Sequence, residues 1–407
     1  MSFCRRLAFA AWCLTALIGP APAASQGLSG LARVLPDSAI VDNGEGVEIG
    51  LGLSQAVPYR IFQLADPWRV VVDFNEIDWS LGEVAGLDRS DRVVNLRAGV
   101  FQPGWSRLVL ELDGPYGLAL AELSDRGAGG AALQMWLDPV SEEDFAARSG
   151  APEGAGLLPE GASFSAPVAM AAGSGKPMVV LDPGHGGIDP GAQVDGEVEA
   201  RLTLTFAREL KETLIRTGVF QVALTRDGDY FVPLETRISI AHALEADVFI
   251  SLHADALPDG RASGATIYTL SPDASDIASR MLAERHDREE LLAGVDLSRH
   301  DDEIAIVLMD MARTETAHET AKLATALVNG LDSHIELYKN PHLSAGFSVL
   351  KSPDIPSVLI ELGFLSQEHD RRNLTSAAWR QSAAQGVAEG LGRWVEEIGA
   401  ERGLRLR

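Results

Sequence analysis

Short runs of alternating apolar and polar residues fill the chain between residues 31 and 140. The runs lie at 47–53, 59–64, 69–74, 107–113 and 132–137. Turn-forming residues separate them, such as Asp66-Pro67 and the glycine-rich stretch at 127–130. Alternation puts every second side chain on the same face of a strand, so each run has one apolar face. Short strands at this spacing predict a small all-β sandwich domain.

From residue 178 onward the pattern changes to apolar strands that alternate with helices. The apolar runs lie at 178–181, 220–225, 247–252, 266–270 and 357–361. After the first run, apolar residues recur at every fourth position from Leu202 to Leu214, which is the spacing of one helix face. A last helix is predicted at 376–398. This order predicts an α/β domain over residues 177–398, with a largely parallel sheet flanked by helices.

The segment between these domains has a different composition. Residues 141–176 lose the periodicity, and Gly, Ala, Pro and Ser dominate from Ser149 to Gly175. Such a composition is typical of a flexible linker. We therefore expect the two domains to move independently of each other.

The amino terminus has the features of a secretory signal peptide. Arg5-Arg6 precede an apolar run at 7–18, and Ala21-Pro22-Ala23 fits the small-x-small cleavage pattern. The run is short for a membrane-spanning helix, which needs about 20 residues. We expect residues 1–23 to be removed on export to the periplasm, by the Sec or the twin-arginine route, leaving a mature form without a membrane span.

Charge and cysteine content narrow the choice of functions. The 407 residues include 58 acidic and 34 basic side chains, which gives a formal net charge of −24. Nucleic-acid binding and a broad electrostatic grip on an anionic membrane both need the opposite balance. The two cysteines, Cys4 and Cys13, lie in the predicted signal peptide. Any metal held by the exported protein must therefore use histidine and carboxylate ligands.

Side chains with metal-binding chemistry stand at the ends of three apolar strands. His185, His253 and Glu361 each stand at or just beyond a carboxyl end, and these ends meet at the sheet edge where ligands bind in open α/β sheets. Glu199 directly precedes a predicted helix and offers a third ligand, with nearby Glu197 as a competitor for that role. Two histidines, one glutamate and an open fourth position make a catalytic zinc arrangement.

Each of these residues also has a purely structural interpretation. A single histidine at a strand end is more often structural than metal-bound, and a glutamate before a helix often serves only the helix dipole. Glu361 would also serve as a buried salt-bridge partner. The occurrence of all of them at one sheet edge favours the metal site.

Three separated motifs carry a family resemblance. They are Asp182-Pro183-Gly184-His185-Gly186-Gly187, Phe249-Ile250-Ser251-Leu252-His253-Ala254 and Val358-Leu359-Ile360-Glu361-Leu362-Gly363-Phe364. Over about residues 177–398 the chain resembles the zinc-dependent N-acetylmuramoyl-L-alanine amidases with the amidase family 3 catalytic domain. The segment 31–140, with Asp66-Pro67-Trp68-Arg69-Val70-Val71-Val72-Asp73, resembles the AMIN domain that precedes these amidases. That domain implies a β-sandwich that targets the enzyme to peptidoglycan or to the division site.

The resemblance implies a site and a reaction. Its zinc ligands fall on His185, Glu199 and His253, and its catalytic glutamate falls on Glu361. Glu199 is preferred over Glu197 because it keeps the family's spacing to the helix leucine. The implied reaction is hydrolysis of the amide between N-acetylmuramic acid and L-alanine in peptidoglycan, for wall turnover and daughter-cell separation. Asp255 stands where the family often has Asn, and we expect it to lie outside the set of ligands.

Residues 275–331 resemble the helical regulatory insertion of division-associated amidases, with helices predicted at about 275–292 and 302–331. In those proteins a covering helix contributes a glutamate to the zinc until an activator, here a LytM-type protein, displaces it. The alignment puts His286 at that position, with Glu284 and Glu289 as alternatives. A solvated polar helix turn is the competing interpretation.

Two other functions compete with the amidase. One is a catalytically silent peptidoglycan-binding division factor, which would be marked by loss of Glu361 or of a zinc ligand, and all four residues are present. The other is a different zinc hydrolase of wall peptides, such as a carboxypeptidase or a deacetylase, against which the motifs argue.

Overall fold

The computed structural model describes residues 31–75, 77–79, 84–102, 104–152, 175–257, 262–292 and 303–405. The predicted signal peptide and residues 153–174 of the predicted linker lie outside these ranges. Among the described residues, no helix is both long enough and apolar enough to cross a membrane.

The N-terminal domain has two large sheets that share one core. Its strands are β1 Ala32–Arg33, β2 Ala39–Asn43, β3 Gly46–Leu53, β4 Tyr59–Leu64, β5 Arg69–Asn75, β6 Ile77–Asp78, β7 Asp88–Arg89, β8 Val93–Gln102, β9 Trp105–Leu112, β10 Tyr116–Asp125 and β11 Ala131–Pro139. One large sheet has the order β4-β5-β9-β8 and the other β10-β11-β3-β2-β7, and β1 and β6 form a separate parallel pair. Leu51 and Met135 of one sheet pack with Val72 and Leu108 of the other. The predicted all-β sandwich domain is confirmed.

The start of the predicted linker is folded. Helix α1, Glu142–Ala147, begins at Ser141, whose side chain accepts a hydrogen bond from the Asp144 backbone N–H. Such a cap satisfies a donor that the first helical turn leaves free. Phe145 is fully buried, and Gly150 donates a backbone hydrogen bond to Gln63. The periodicity missed this helix because six residues give too short a pattern. For the rest of the segment, the linker stays a prediction.

The second domain has a mixed sheet. Its strands are β12 Met178–Pro183, β13 Gln193–Val194, β14 Glu197–Val198, β15 Gln221–Leu224, β16 Val248–His253, β17 Ala265–Leu270, β18 Leu337–Ala345 and β19 Ser357–Glu361. Its helices are α2 Glu199–Arg216, α3 Leu234–Ala243, α4 Ile277–Leu292, α5 Glu303–Asp332, α6 Glu368–Thr375 and α7 Ala377–Arg405. The large sheet has the order β15-β12-β16-β19-β17-β18, and of its pairs only β17–β19 is antiparallel.

Helices cover both faces of this sheet. On one face, α2, α5 and α7 contribute Leu210, Leu327 and Leu391 to the larger apolar cluster. On the other face, α3 and α4 contribute Ala241 and Leu282 to a second cluster. Burial on both faces is the condition under which parallel strands are stable. The predicted α/β domain with its largely parallel, helix-flanked sheet is confirmed.

The segment predicted as a helical insertion joins β17 to β18. These two strands are parallel neighbours, and parallel strands need a crossover connection. The crossover contains α4 and α5. Helix α4 packs on the same face of the sheet as α3, whereas α5 packs on the opposite face with α7.

A buried ion pair holds the middle of the four-stranded sheet. Arg107 and Asp73 are direct cross-strand neighbours, and the guanidinium Nε lies 2.5 Å from Asp73 Oδ1. Both side chains are almost fully buried, and the guanidinium carbon lies 3.4 Å from the centre of the Phe101 ring. A buried guanidinium that loses its carboxylate keeps an uncompensated charge in a low-dielectric environment.

We therefore expect Asp73→Ala to destabilise the N-terminal domain by about 3–5 kcal/mol, because Arg107 remains buried without its partner. The measurement is the free energy of unfolding from hydrogen exchange of the β9 amides. Asp37→Ala is the matched control, since Asp37 pairs with Arg126 at the surface, 2.7 Å away, and an exposed pair contributes about 0–1 kcal/mol. Equal losses in the two variants would contradict the assigned role of the buried pair.

Candidate metal centre and active site

The candidate residues at the strand ends lie at one edge and on one face of the sheet. Strands β12, β16 and β19 are parallel neighbours, and His253 is directly paired with Glu361 in their register. Because side chains alternate along a strand, Asp182, Ser251, His253 and Glu361 all lie on the face that carries α3 and α4. The parallel arrangement is the reason that residues far apart in sequence meet here.

His185, Glu199 and His253 converge on one point. Glu199 Oε1 lies 3.2 Å from His185 Nε2 and 3.1 Å from His253 Nδ1. Ligands of a tetrahedral zinc ion with bonds of about 2.0–2.1 Å are separated by roughly 3.3 Å. Glu199 is completely buried, whereas the Glu197 side chain is 32% exposed and lies 3.3 Å from Arg201. The geometry brings Glu199, and not Glu197, to the two histidines.

The loop that carries His185 is held in an unusual backbone conformation. His185 has a φ of 60°, a left-handed value that costs a residue other than glycine about 1–3 kcal/mol. Arg237 donates to the His185 carbonyl from 3.1 Å, and Arg226 donates to the Gly184 carbonyl from 2.8 Å. Asp189 Oδ2 lies 2.7 Å from His185 Nδ1, which leaves Nε2 to face the site. These contacts fix both the ring and its free nitrogen.

Glu199 is the first residue of α2, and two backbone donors from outside that helix orient its side chain. The Ala254 N–H donates to Oε1 and the Ala192 N–H to Oε2, each from 2.9 Å. The helix N-terminus further stabilises its negative charge. A side chain at Gly191, which has a φ of 66°, would come within 2.7 Å of both Glu199 and His185. Glycine is therefore needed for the loop to pass this close to both candidate ligands.

Burial and neighbouring charges shift the pKa values of His253, His185 and Glu199 in different directions. Burial lowers the pKa of His253 to about 4, and the neighbouring His286 and His185 add to this effect, so His253 is neutral, as a metal ligand must be. For His185, burial is outweighed by Asp189 and Glu199, which raise its pKa well above the ordinary value. For Glu199, burial is outweighed by His185 and His253, which hold its pKa well below the ordinary value.

Glu361 lies beside this group. It is completely buried, its Oε2 accepts a hydrogen bond from the Asp255 N–H at 3.1 Å, and its Oε1 has no hydrogen-bond partner. Burial raises the pKa of Glu361 well above the ordinary value, and the carboxylates of Glu199 and Asp255 raise it further. A cation at the convergence point would have the reverse effect and favour the ionised form.

Helix α4 places His286 over the two histidines. The nitrogens of His185, His253 and His286 lie within 4.8 Å of one another. The His286 ring stacks on the His253 ring with centres 4.3 Å apart, and His286 Nε2 is buried without a hydrogen-bond partner. The alternative Glu284 has a side chain that is 69% exposed. The side chain of the other alternative, Glu289, lies outside the described residues.

Arg285, the residue directly before His286, fastens α4 to the site. Arg285 Nη1 lies 2.6 Å from Asp255 Oδ1 and also donates to the Ala256 carbonyl at 2.8 Å. Asp255 Oδ2 lies 3.7 Å from His286 Nε2. Asp255 is not one of the candidate zinc ligands, but it contacts Glu361 and holds the covering helix.

Four other residues that hold the His185 loop could not be found from the sequence. Asp189 stands two residues after the first motif, whereas Arg226 and Arg237 lie outside the three motifs. The hydrogen bonds of all three side chains depend on chain folding that no spacing reveals. Arg97 comes from the N-terminal domain and lies 3.4 Å from Asp189. Only the position of Asp189 four residues after His185 could have suggested a hydrogen-bond partner for that ring.

Such a sheet edge, with two histidines and two buried glutamates close together, is typical of a hydrolase with a metal-binding active site. The chain belongs to the N-acetylmuramoyl-L-alanine amidase family, whose model matches residues 179–393. The AMIN domain model matches residues 39–129. The family resemblance of the sequence motifs is therefore confirmed.

Similar proteins carry the same family name. The chain is 32% identical over 352 residues to the N-acetylmuramoyl-L-alanine amidase AmiC of Escherichia coli O6:H1. This match covers 83% of this chain and 84% of that protein. It is 38% identical over 237 residues to amidase AmiA of Escherichia coli K12, covering 58% and 81% respectively. A solved structure, amidase AmiC2 of Nostoc punctiforme, covers 55% of this chain and 99% of that chain at 26% identity, with a TM-score of 0.40.

The two candidate glutamates can be separated by substitution. We expect Glu199→Gln to weaken zinc affinity at least about a hundredfold, since even outer-shell changes cost tenfold to a hundredfold. Glu197→Gln is the matched control and should leave the affinity unchanged, because its side chain faces Arg201 at the surface. Zinc affinity is measured by competition with a chelator. Retention of zinc by Glu199→Gln together with loss in Glu197→Gln would reverse the assignment.

Proposed function

We propose that this protein is a zinc-dependent amidase of peptidoglycan. It hydrolyses the amide bond between N-acetylmuramic acid and L-alanine of the stem peptide, and so releases free stem peptides from glycan strands. The observation that carries the proposal is the convergence of His185, Glu199 and His253 at the sheet edge, with the buried Glu361 beside them. Family membership supports the choice of substrate.

The donor set fits zinc. It consists of two imidazole nitrogens and one carboxylate oxygen, the ligand set of several catalytic zinc sites. His185 Nε2 is buried without a hydrogen-bond partner, and such an atom is costly unless something binds it. His185, Glu199 and His253 would hold the ion. When bound, Zn²⁺ supplies a Lewis acid that activates water and polarises the substrate carbonyl.

Glu361 is suited to move the proton. It would accept a proton from the attacking water as the new carbon–oxygen bond forms. It would then donate that proton to the alanine nitrogen as the carbon–nitrogen bond breaks, which completes the hydrolysis. The Asp255 N–H, 3.1 Å from Oε2, orients the carboxyl group. Oε1, which has no hydrogen-bond partner, remains available for the proton.

His286 is proposed to keep the enzyme closed. A catalytic zinc site needs an open fourth position. A nitrogen of His286 lies within 4.8 Å of nitrogens of the other two histidines, and the buried Nε2 of His286 has no hydrogen-bond partner. As a fourth ligand it would exclude both water and substrate. The ion pair of Arg285 with Asp255 supports α4 in this position. A LytM-type activator protein of the division machinery would displace α4.

The cellular setting follows from the same proposal. Peptidoglycan lies outside the cytoplasmic membrane, so the enzyme would act in the periplasm after removal of the predicted signal peptide. Uncontrolled cleavage of the wall would damage the cell, which gives the closing helix a purpose. Daughter-cell separation is the process that needs such timed cleavage.

The role of Glu361 predicts a separation of binding from catalysis. We expect Glu361→Gln to keep its zinc and to lose about a hundredfold to ten-thousandfold in turnover, which is the usual contribution of a general acid–base. Stem-peptide release from purified peptidoglycan is measured with product masses, beside the zinc content of the same samples. Products other than intact stem peptides would point to a different wall-peptide hydrolase. A wild-type protein that binds zinc yet releases nothing, even with α4 removed, would favour the silent binding factor.

The closing role of His286 predicts activation on its removal. We expect His286→Ala to raise basal peptide release at least about tenfold, since a helix that holds most molecules closed needs a bias of this order or more. Glu284→Ala is the matched control, because it changes an exposed residue of the same helix. Basal activity of His286→Ala equal to that of the wild type would show that this side chain does not inhibit the enzyme.

A further inference from the structure

A strand of the N-terminal domain runs directly against the loop that carries His185. The Ile188 N–H donates to the Val100 carbonyl of β8 at 3.0 Å. A Cβ atom built on Gly99 would lie 2.8 Å from the Ile188 Cα, a separation that real Cβ atoms essentially never show. A Cβ on Gly187 would overlap the Val100 carbonyl oxygen. Backbone therefore meets backbone, with no room for a side chain between β8 and the loop.

An apolar cluster packs around the same contact between β8 and the loop. Phe101 of β8 stacks on Phe231 with ring centres 5.8 Å apart. Ile188 of the loop is only 1% exposed and joins Val71 and Val109 from the outer face of the four-stranded sheet. Burial of large apolar side chains contributes about 1.5–3 kcal/mol each. We expected independently moving domains, whereas the structure joins them through a shared core.

A chain of charged groups continues from this contact to the site. Arg97 of β8 lies 3.4 Å from Asp189 Oδ1, and Asp189 Oδ2 lies 2.7 Å from His185 Nδ1. The Asp189 side chain is 4% exposed and that of Arg97 is 18% exposed, so solvent screens the pair only in part. A carboxylate that bonds the far nitrogen of a ligand histidine fixes the ring and tunes its affinity for metal. Here that carboxylate is itself held from the other domain.

We propose that the N-terminal domain is a structural part of the metal site, with β8 positioning the 185–189 loop and Arg97 acting as a positioning residue through Asp189. Docking of the domain raises the affinity of His185, Glu199 and His253 for zinc. By thermodynamic reciprocity, zinc strengthens the docking of the domain by the same factor. This inference rests on the proposed zinc site, and it assigns the N-terminal domain a role in metal binding in addition to any role in targeting.

Gly99→Ala in the full chain tests the backbone contact. The strand conformation of Gly99 accepts alanine, so the substitution acts on the contact with Ile188 and not on the strand itself. We expect zinc affinity, measured by chelator competition, to fall about tenfold. Gly50→Ala is the matched control in the same domain, because its Cβ would meet nothing closer than the Ala39 carbonyl at 3.8 Å, and it should bind zinc like the wild type.

Arg97→Gln tests the charged contact and remains informative if Gly99→Ala misfolds. We expect weaker zinc binding and an altered visible spectrum of the cobalt-substituted protein, since that spectrum reports ligand geometry. Arg92→Gln is the control, because Arg92 is 22% exposed and pairs at 2.8 Å with Asp42 inside the N-terminal domain. Hydrogen exchange supplies the reciprocal measurement: removing zinc from the wild type should speed exchange in β8.

The outcomes separate the two proposals. A wild-type protein that binds no zinc would remove the proposed function itself. Zinc binding by the wild type with equal affinity in Gly99→Ala and Arg97→Gln would overturn only the present inference, whatever the exchange rates show. Weaker binding in both variants, with Gly50→Ala and Arg92→Gln unchanged, would support it.

Discussion

The burial of two carboxyl groups at the sheet edge is the constraint on which the rest of the site depends. Glu199 and Glu361 are both completely buried, and taking an ion out of water costs several kcal/mol even after the protein relaxes. Two backbone amides, a helix N-terminus and two imidazoles compensate Glu199 in part. Glu361 receives a single backbone amide among the hydrogen bonds described here. A divalent cation at the convergence point would favour the ionised form of both carboxyl groups and would give the buried His185 Nε2 a partner.

The two buried arginines beside the site, Arg226 and Arg237, are directed to the loop backbone and not to the convergence point. Arg226 and Arg237 direct their donors to the backbone carbonyls of residues 183–185. Burial lowers the pKa of Arg226 to about 10, and the nearby charge of Arg237 adds to this effect, but at neutral pH it remains charged. The two guanidinium groups therefore fix the strained backbone at His185 without occupying the place of a metal. The charges of these two arginines therefore position the loop, and the convergence point stays open for a metal ion.

The sequence predicted the strands that end at the site because apolar runs and motifs are local. His185, His253 and Glu361 could be found in this way, and Glu199 by its place before a helix. Strand β18 was missed because Pro341 interrupts its pattern, although proline is tolerated there since β18 is the edge strand. The docking of β8 on the His185 loop was missed because it joins residues about ninety positions apart. One local signal of this docking existed. Val70, Val71 and Val72 follow one another in β5, so this strand has apolar side chains on both of its faces, and all three are buried.

The path of the chain between β17 and β18 bears on how control of such an enzyme can evolve. Because these strands are parallel, a long connection is required whether or not it regulates anything. Lengthening a flexible connection is thermodynamically inexpensive, at about 0.6 kcal/mol for each doubling. Since α4 and α5 lie within this obligatory connection, helices there can be acquired, altered or lost while the hydrogen-bonded register of the sheet is preserved. Regulation can therefore diversify among descendants of one fold while the hydrolytic chemistry is inherited unchanged.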